Sequence, residues 1–172
     1  MARKQQTGFT IIELVITITI IAILAAIALP KYVSLQADAR LAKMNAIRGA
    51  LSSAAALARA RCELDLVATP VGTCTATAGT ANMDGTAVAM VNKYPQALLP
   101  PALGILAAIS MTPGTSIATA KDGVFATLAG TTLTITPVGA TTPASCTITY
   151  TNAAVGAAPA ITLNPLATTA TC

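Results

Sequence analysis

Residues 9–29, FTIIELVITITIIAILAAIAL, are 21 consecutive residues with a single charge, Glu13. As a helix rising about 1.5 Å per residue the run is roughly 32 Å long, and the hydrocarbon core of a bilayer is about 30 Å thick. The segment is therefore long and apolar enough to span a membrane, and no other stretch of the chain is. Before it lies MARKQQTG, short and polar, with Arg3 and Lys4. The positive-inside rule leaves this N-terminus in the cytoplasm and sends the rest of the chain outward. A secretory signal is one reading, because Ala26-Ile27-Ala28 has the small-residue cleavage pattern, but the apolar stretch of such a signal is only about 7–15 residues long. Glu13 argues further against a plain signal or anchor. A carboxylate at the bilayer centre costs about 2.5–3.5 kcal/mol on insertion scales, less near the interface, and such groups usually have a partner. The sequence offers none nearby except the amine of a freshly cut N-terminus.

Gly8-Phe9-Thr10-Ile11-Ile12-Glu13-Leu14 resembles the cleavage and methylation motif of type IV pilins and the related pseudopilins. The resemblance extends from residue 4 to about residue 61. It implies that a prepilin peptidase cuts between Gly8 and Phe9 and N-methylates Phe9. Glu13 then becomes the fifth residue of the mature chain. Residues 1–8 are the leader, 9–29 a transmembrane and filament-core helix, 30–61 an amphipathic stem helix, and 62–172 a β-rich head. The fold class expected is α+β, with the long helix packed on a small antiparallel sheet that ends in a disulfide loop. The implied partners are identical subunits in a helical homopolymer, the prepilin peptidase, the inner-membrane assembly machinery, and the membrane itself before assembly. The implied location is the bacterial inner membrane, then an extracellular pilus serving adhesion or motility.

The residues beyond the apolar run support a helical stem independently. Leu41, Met44, Ile47, Leu51, Ala54 and Ala58 recur at spacings of three and four, which places them on one helical face. Pro30 removes the bond to the carbonyl of Ala26 and predicts a kink there. Residues 30–61 carry net charge +5 and residues 62–172 carry −2. Loss of residues 1–8 would leave the chain at +2 apart from its termini. That excess is too small, and the five aromatics too few, for a nucleic-acid binder.

Cys62, Cys74, Cys146 and Cys172 lie on the outward side of the anchor, where disulfides form. Four cysteines allow three connectivities. In the nearest-neighbour pairing the Cys146–Cys172 bridge resembles the disulfide loop of many pilins. The gaps of 11 and 25 residues do not match the close pairs of a zinc site, and no metal or cofactor is expected. From Thr75 onward the pattern is one of strands and turns. Ala87–Tyr94 reads as a strand ended by Pro95, and a hairpin is expected about Ala129-Gly130. Thr147–Thr151 alternates cleanly, and Gln96–Met111 reads as a loop with a short helix. Three to five strands are expected. Gly85–Ala97, GTAVAMVNKYPQA, also resembles the corresponding stretch of MSHA-type pilins, with Lys93 where a Gly is expected before Tyr94-Pro95.

The chain has no His, so a His-based triad or a His-ligated metal is excluded. Ser or Thr nucleophiles need an activating base, and Lys93, Lys121, Asp84 and Asp122 form no recognisable constellation. The chain is not read as an enzyme. A pseudopilin of a type II secretion system shares the N-terminal logic, but the few acidic residues do not suggest the calcium site common in its major form. A membrane-anchored extracytoplasmic module that never polymerises is the remaining alternative. Residues 112–172 hold 17 Thr and only two charges, a neutral hydroxyl-rich composition that suits close subunit packing or O-linked sugar.

Overall fold

The computed structural model describes residues 8–67 and 73–172. Arg3, Lys4 and the rest of residues 1–7 lie outside the described residues. A helix, α1, runs Ile11–Val67, without interruption at Pro30. Seven strands follow among the described residues: β1 (Thr80–Met83), β2 (Thr86–Val91), β3 (Tyr94–Pro95), β4 (Val124–Ala129), β5 (Thr132–Pro137), β6 (Ile148–Thr151) and β7 (Ala160–Leu163). A short helix, α2 (Ile105–Ala108), and a 3₁₀ turn at Ile117–Thr119 lie between β3 and β4. The strands form two antiparallel sheets in sequence order, β1-β2-β3 and β4-β5-β6-β7. The chain divides into two compact units, one ending at Gln36 and one spanning Ala37–Cys172.

In the second unit the spacing of the stem decides what is buried. Met44, Ile47, Leu51, Ala54 and Ala58 are all buried, and Leu41 packs at the margin. Met44, Ile47 and Leu51 join Leu133, Ile135 and Tyr150 of the four-stranded sheet in one core. Each large side chain buried there contributes about 1.5–3 kcal/mol. Further along, Ala58 and Cys62 share a second cluster with Ala81, Val88 and Met90 of the three-stranded sheet. Two stem cations are used within the unit. Arg40 donates to the Cys172 carbonyl at 3.3 Å, and Lys43 donates to the carbonyl of Asp122.

The helix outlasts the expected end at Arg61 by six residues. Arg61 pairs with Asp65 one turn on at 3.1 Å, and Asp65 is only 5% exposed, so the last turns are held against the head. The strand expected over Ala87–Tyr94 is two strands. Asn92 and Lys93, at φ +51 and +71, make a two-residue turn between β2 and β3. Left-handed geometry at both central positions is the type I′ signature that matches strand twist. Pro95 does not end the strand but sits within β3, opposite Met90. β3 is an edge strand, where the missing N–H is tolerated. The second hairpin turns at Gly130-Thr131, one residue later than expected, because Ala129 pairs with Thr132. Gly130 takes φ +58. Among the described residues the strands number seven rather than three to five, because β1 (TANM) and β7 (AITL) carry little β-branched alternation.

Tyr150 links the two sheets. Its ring is fully buried and its hydroxyl donates to the Pro95 carbonyl at 2.6 Å. Burial, with the Tyr94 phenol nearby, pushes its pKa well above the ordinary value. The folded state therefore keeps this phenol protonated where the unfolded chain, with a pKa near about 10, ionises it. The stabilisation is complete below about pH 10 and is lost as pH rises above it. Denaturant midpoints measured across that range should fall with pH, and fall less in Tyr150→Phe. Ionisation of Tyr150 near pH 10 with the fold intact would contradict this.

Candidate assembly site at the N-terminal segment

Every residue from Gly8 to Gln36 is exposed. Phe9 is 82% exposed, and Ile11, Ile12, Ile23, Leu24 and Ile27 lie similarly bare. An 18-residue window of α1 has mean hydropathy 2.8, and none of it is buried among the described residues. A continuous apolar surface of this size has to be covered by lipid or by other protein.

Glu13 also has a local role, set by its spacing from Thr10. Thr10 is the N-cap of α1 and Glu13 is the third helical residue. The Thr10 backbone N–H and hydroxyl both donate to Glu13 Oε2, at 3.1 and 2.7 Å, and the Glu13 N–H donates back to Thr10 Oγ1 at 3.3 Å. This reciprocal arrangement is a capping box. Thr-x-x-Glu ahead of an apolar run is its sequence signature, so it was legible. The carboxylate also suits the positive end of the helix dipole.

Gly8 has no such structural explanation. Among the described residues, a side chain added there would meet nothing within 4 Å. Pro30 stands inside α1, with helix on both sides.

The cysteines pair as Cys62–Cys74 and Cys146–Cys172, with Cα–Cα distances of 5.3 and 5.2 Å. All four are buried, and no free cysteine occurs among the described residues. The first bridge ties the last turns of α1 to the segment before β1. The second joins Cys146, just before β6, to Cys172. No group of three or more potential metal ligands occurs among the described residues.

An exposed apolar helical segment, a stem that packs on two antiparallel sheets, and the Cys146–Cys172 bridge together make an α+β fold. Residues 3–29 match the family described as the prokaryotic N-terminal methylation motif. Among curated proteins it is similar to the type IV narrow pilus major component PilA5 of Thermus thermophilus, with 51% identity over 51 residues. That match covers 30% of this chain and 44% of the relative, so the chain matches less than half of the relative's length. No solved structure matches the chain.

Proposed function

We infer that this chain is a structural subunit of a type IV pilus, serving adhesion or motility. A prepilin peptidase cuts it between Gly8 and Phe9 and methylates the Phe9 amine. The leader is residues 1–8. Residues 9–29 hold the precursor in the inner membrane and then become filament core, residues 30–61 form the stem, with a kink near Pro30, and residues 62–172 form the head. Identical subunits and the inner-membrane assembly machinery are its partners. Its role is structural and not enzymatic.

The observation that carries the reading is the conjunction of Gly8, Phe9 and Glu13 with a fully uncovered apolar helix. Gly8 stands in open space among the described residues, which suits recognition of this position by another protein. In a helix bundle the Glu13 carboxylate would pair with the Phe9 amine of an adjacent subunit. In a dehydrated core an unpaired Glu13 is costly, so the contact selects one axial register.

Replacement of Gly8 tests the first step. A Gly8→Val chain is expected to stay at full precursor mass in the membrane fraction, because a branched side chain blocks the cut. The helix is untouched, since residue 8 precedes α1. A Gly8→Val chain that loses residues 1–8 as wild type does would contradict the proposed cleavage.

A further inference from the structure

Charge is scarce in this chain, and two cationic side chains, both paired with Glu63, line one cavity of the head. Beyond residue 61 there are only two basic residues, Lys93 and Lys121. Lys93 lines a cavity of about 240 Å³ together with Arg59 of the stem. Glu63 pairs with both cations. Lys93 Nζ donates to its two carboxylate oxygens at 3.1 and 3.3 Å, and Arg59 Nε lies 3.7 Å from Oε1. The guanidinium is fixed in place. It lies 5.2 Å from the centroid of the Tyr94 ring, and its Nη1 donates to the Tyr94 hydroxyl at 2.5 Å. The cluster keeps a net charge of +1. Among the described residues, Arg59 Nη2 and the third Lys93 proton have no partner.

The backbone at Lys93 adds a second, independent observation. Lys93 holds φ +71 at the second central position of a type I′ turn, where glycine is strongly preferred. A long side chain in the left-handed region is disfavoured, and such outliers gather at binding sites. The ion pair with Glu63 does not account for it, because half-exposed pairs contribute little. The turn is nevertheless held firmly. Asn92 Nδ2 donates to the Ala153 carbonyl at 2.8 Å and the Asn92 N–H to the Thr77 carbonyl at 3.0 Å, joining the three loops that enclose the cavity. The walls add hydroxyl and amide groups from Thr77, Asn92 and Tyr94, and an apolar flank at Ala157.

We propose that this cavity is a binding site for an acidic sugar, with its carboxylate held by Arg59 and Lys93 and its ring hydroxyls by Thr77 and Asn92. Arg59 Nη2 and the third Lys93 proton are each available to a carboxylate oxygen, and such charge-assisted bonds are the strong ones. The cavity is smaller than the usual range of about 300–1,000 Å³ for drug-sized ligands, so it takes a single ring. The inference requires neither the cut at Gly8 nor polymerisation.

The test uses the full chain in detergent, titrated with sodium glucuronate and followed by saturation-transfer NMR or calorimetry, with glucose as the neutral comparator. Glucuronate should bind saturably and more weakly as salt rises, and glucose should not bind. Lys93→Gly should weaken binding at least about tenfold, while the thermal midpoint stays level or rises because glycine relaxes the turn. Arg59→Gln, which keeps a good helix former, should weaken binding similarly and gives the answer should Lys93→Gly disturb the fold. Absence of saturable glucuronate binding, equal binding of glucose, or unchanged affinity in both variants would overturn the proposal.

Discussion

A Glu13→Gln chain should be cut at Gly8–Phe9 and still yield at least about tenfold fewer filaments than wild type. The substitution separates the two jobs of this side chain. Gln serves the third position of a capping box as Glu does, so the bonds to Thr10 and the start of α1 survive. What is lost is the negative charge. In a desolvated bundle the Phe9 ammonium of an adjacent subunit would then face a neutral amide. Breaking a buried ion pair by removing one charge costs about 3–5 kcal/mol, and about 1.4 kcal/mol is already tenfold in an equilibrium constant. Glu13→Ala removes both roles and should assemble no better than Glu13→Gln. Filament mass per cell after shearing, set against the amount of processed subunit, gives the comparison. Wild-type assembly by Glu13→Gln with a defect only in Glu13→Ala would reduce Glu13 to a helix cap.

Loss of the Cys146–Cys172 bridge should have the largest effect on the head itself. The bridge closes a separation of 26 residues, worth about 3.5 kcal/mol of chain entropy at 25 °C. Cys172→Ser should lower unfolding stability by about that amount. Cys62→Ser opens the shorter separation of 12 residues and should cost about 3 kcal/mol. Domains of this size hold about 5–15 kcal/mol in total, so either change removes a large fraction. Both bridges are fully buried, and Arg40 donates to the Cys172 carbonyl, so the end of the chain is fastened to the stem as well. Denaturant titration of each variant beside wild type, with and without reductant, measures the effect. Equal midpoints for Cys172→Ser and wild type would contradict it.

Long-period features were the legible ones. The apolar run, the three-four spacing of Met44, Ile47, Leu51, Ala54 and Ala58, and Gly8-Phe9-x-x-x-Glu13 each depend on residue type at fixed spacing, and helical geometry is regular enough to carry them into three dimensions. The disulfide pairing stayed open, because spacing does not choose among three connectivities and the sheets decide which thiols meet. Strand content was harder to read. TANM and AITL became strands because neighbours offered edges to pair with, a tertiary effect that outweighs weak local preference. The break after Val91 was hidden because Asn-Lys is a poor type I′ pair by composition, and only the observed φ values reveal it. The Lys93 departure from an expected Gly was visible in the sequence; the cavity it lines was not, because Arg59, Thr77 and Gly156 come from distant stretches of chain.

The measurement closest to the central claim is the intact mass and N-terminal peptide of this chain in filaments sheared from cells. The account predicts an abundant filament whose subunit lacks residues 1–8 and begins with an N-methylated Phe9. A chain recovered only from the membrane, with Met1 retained or with a cut near Ala28, would contradict it.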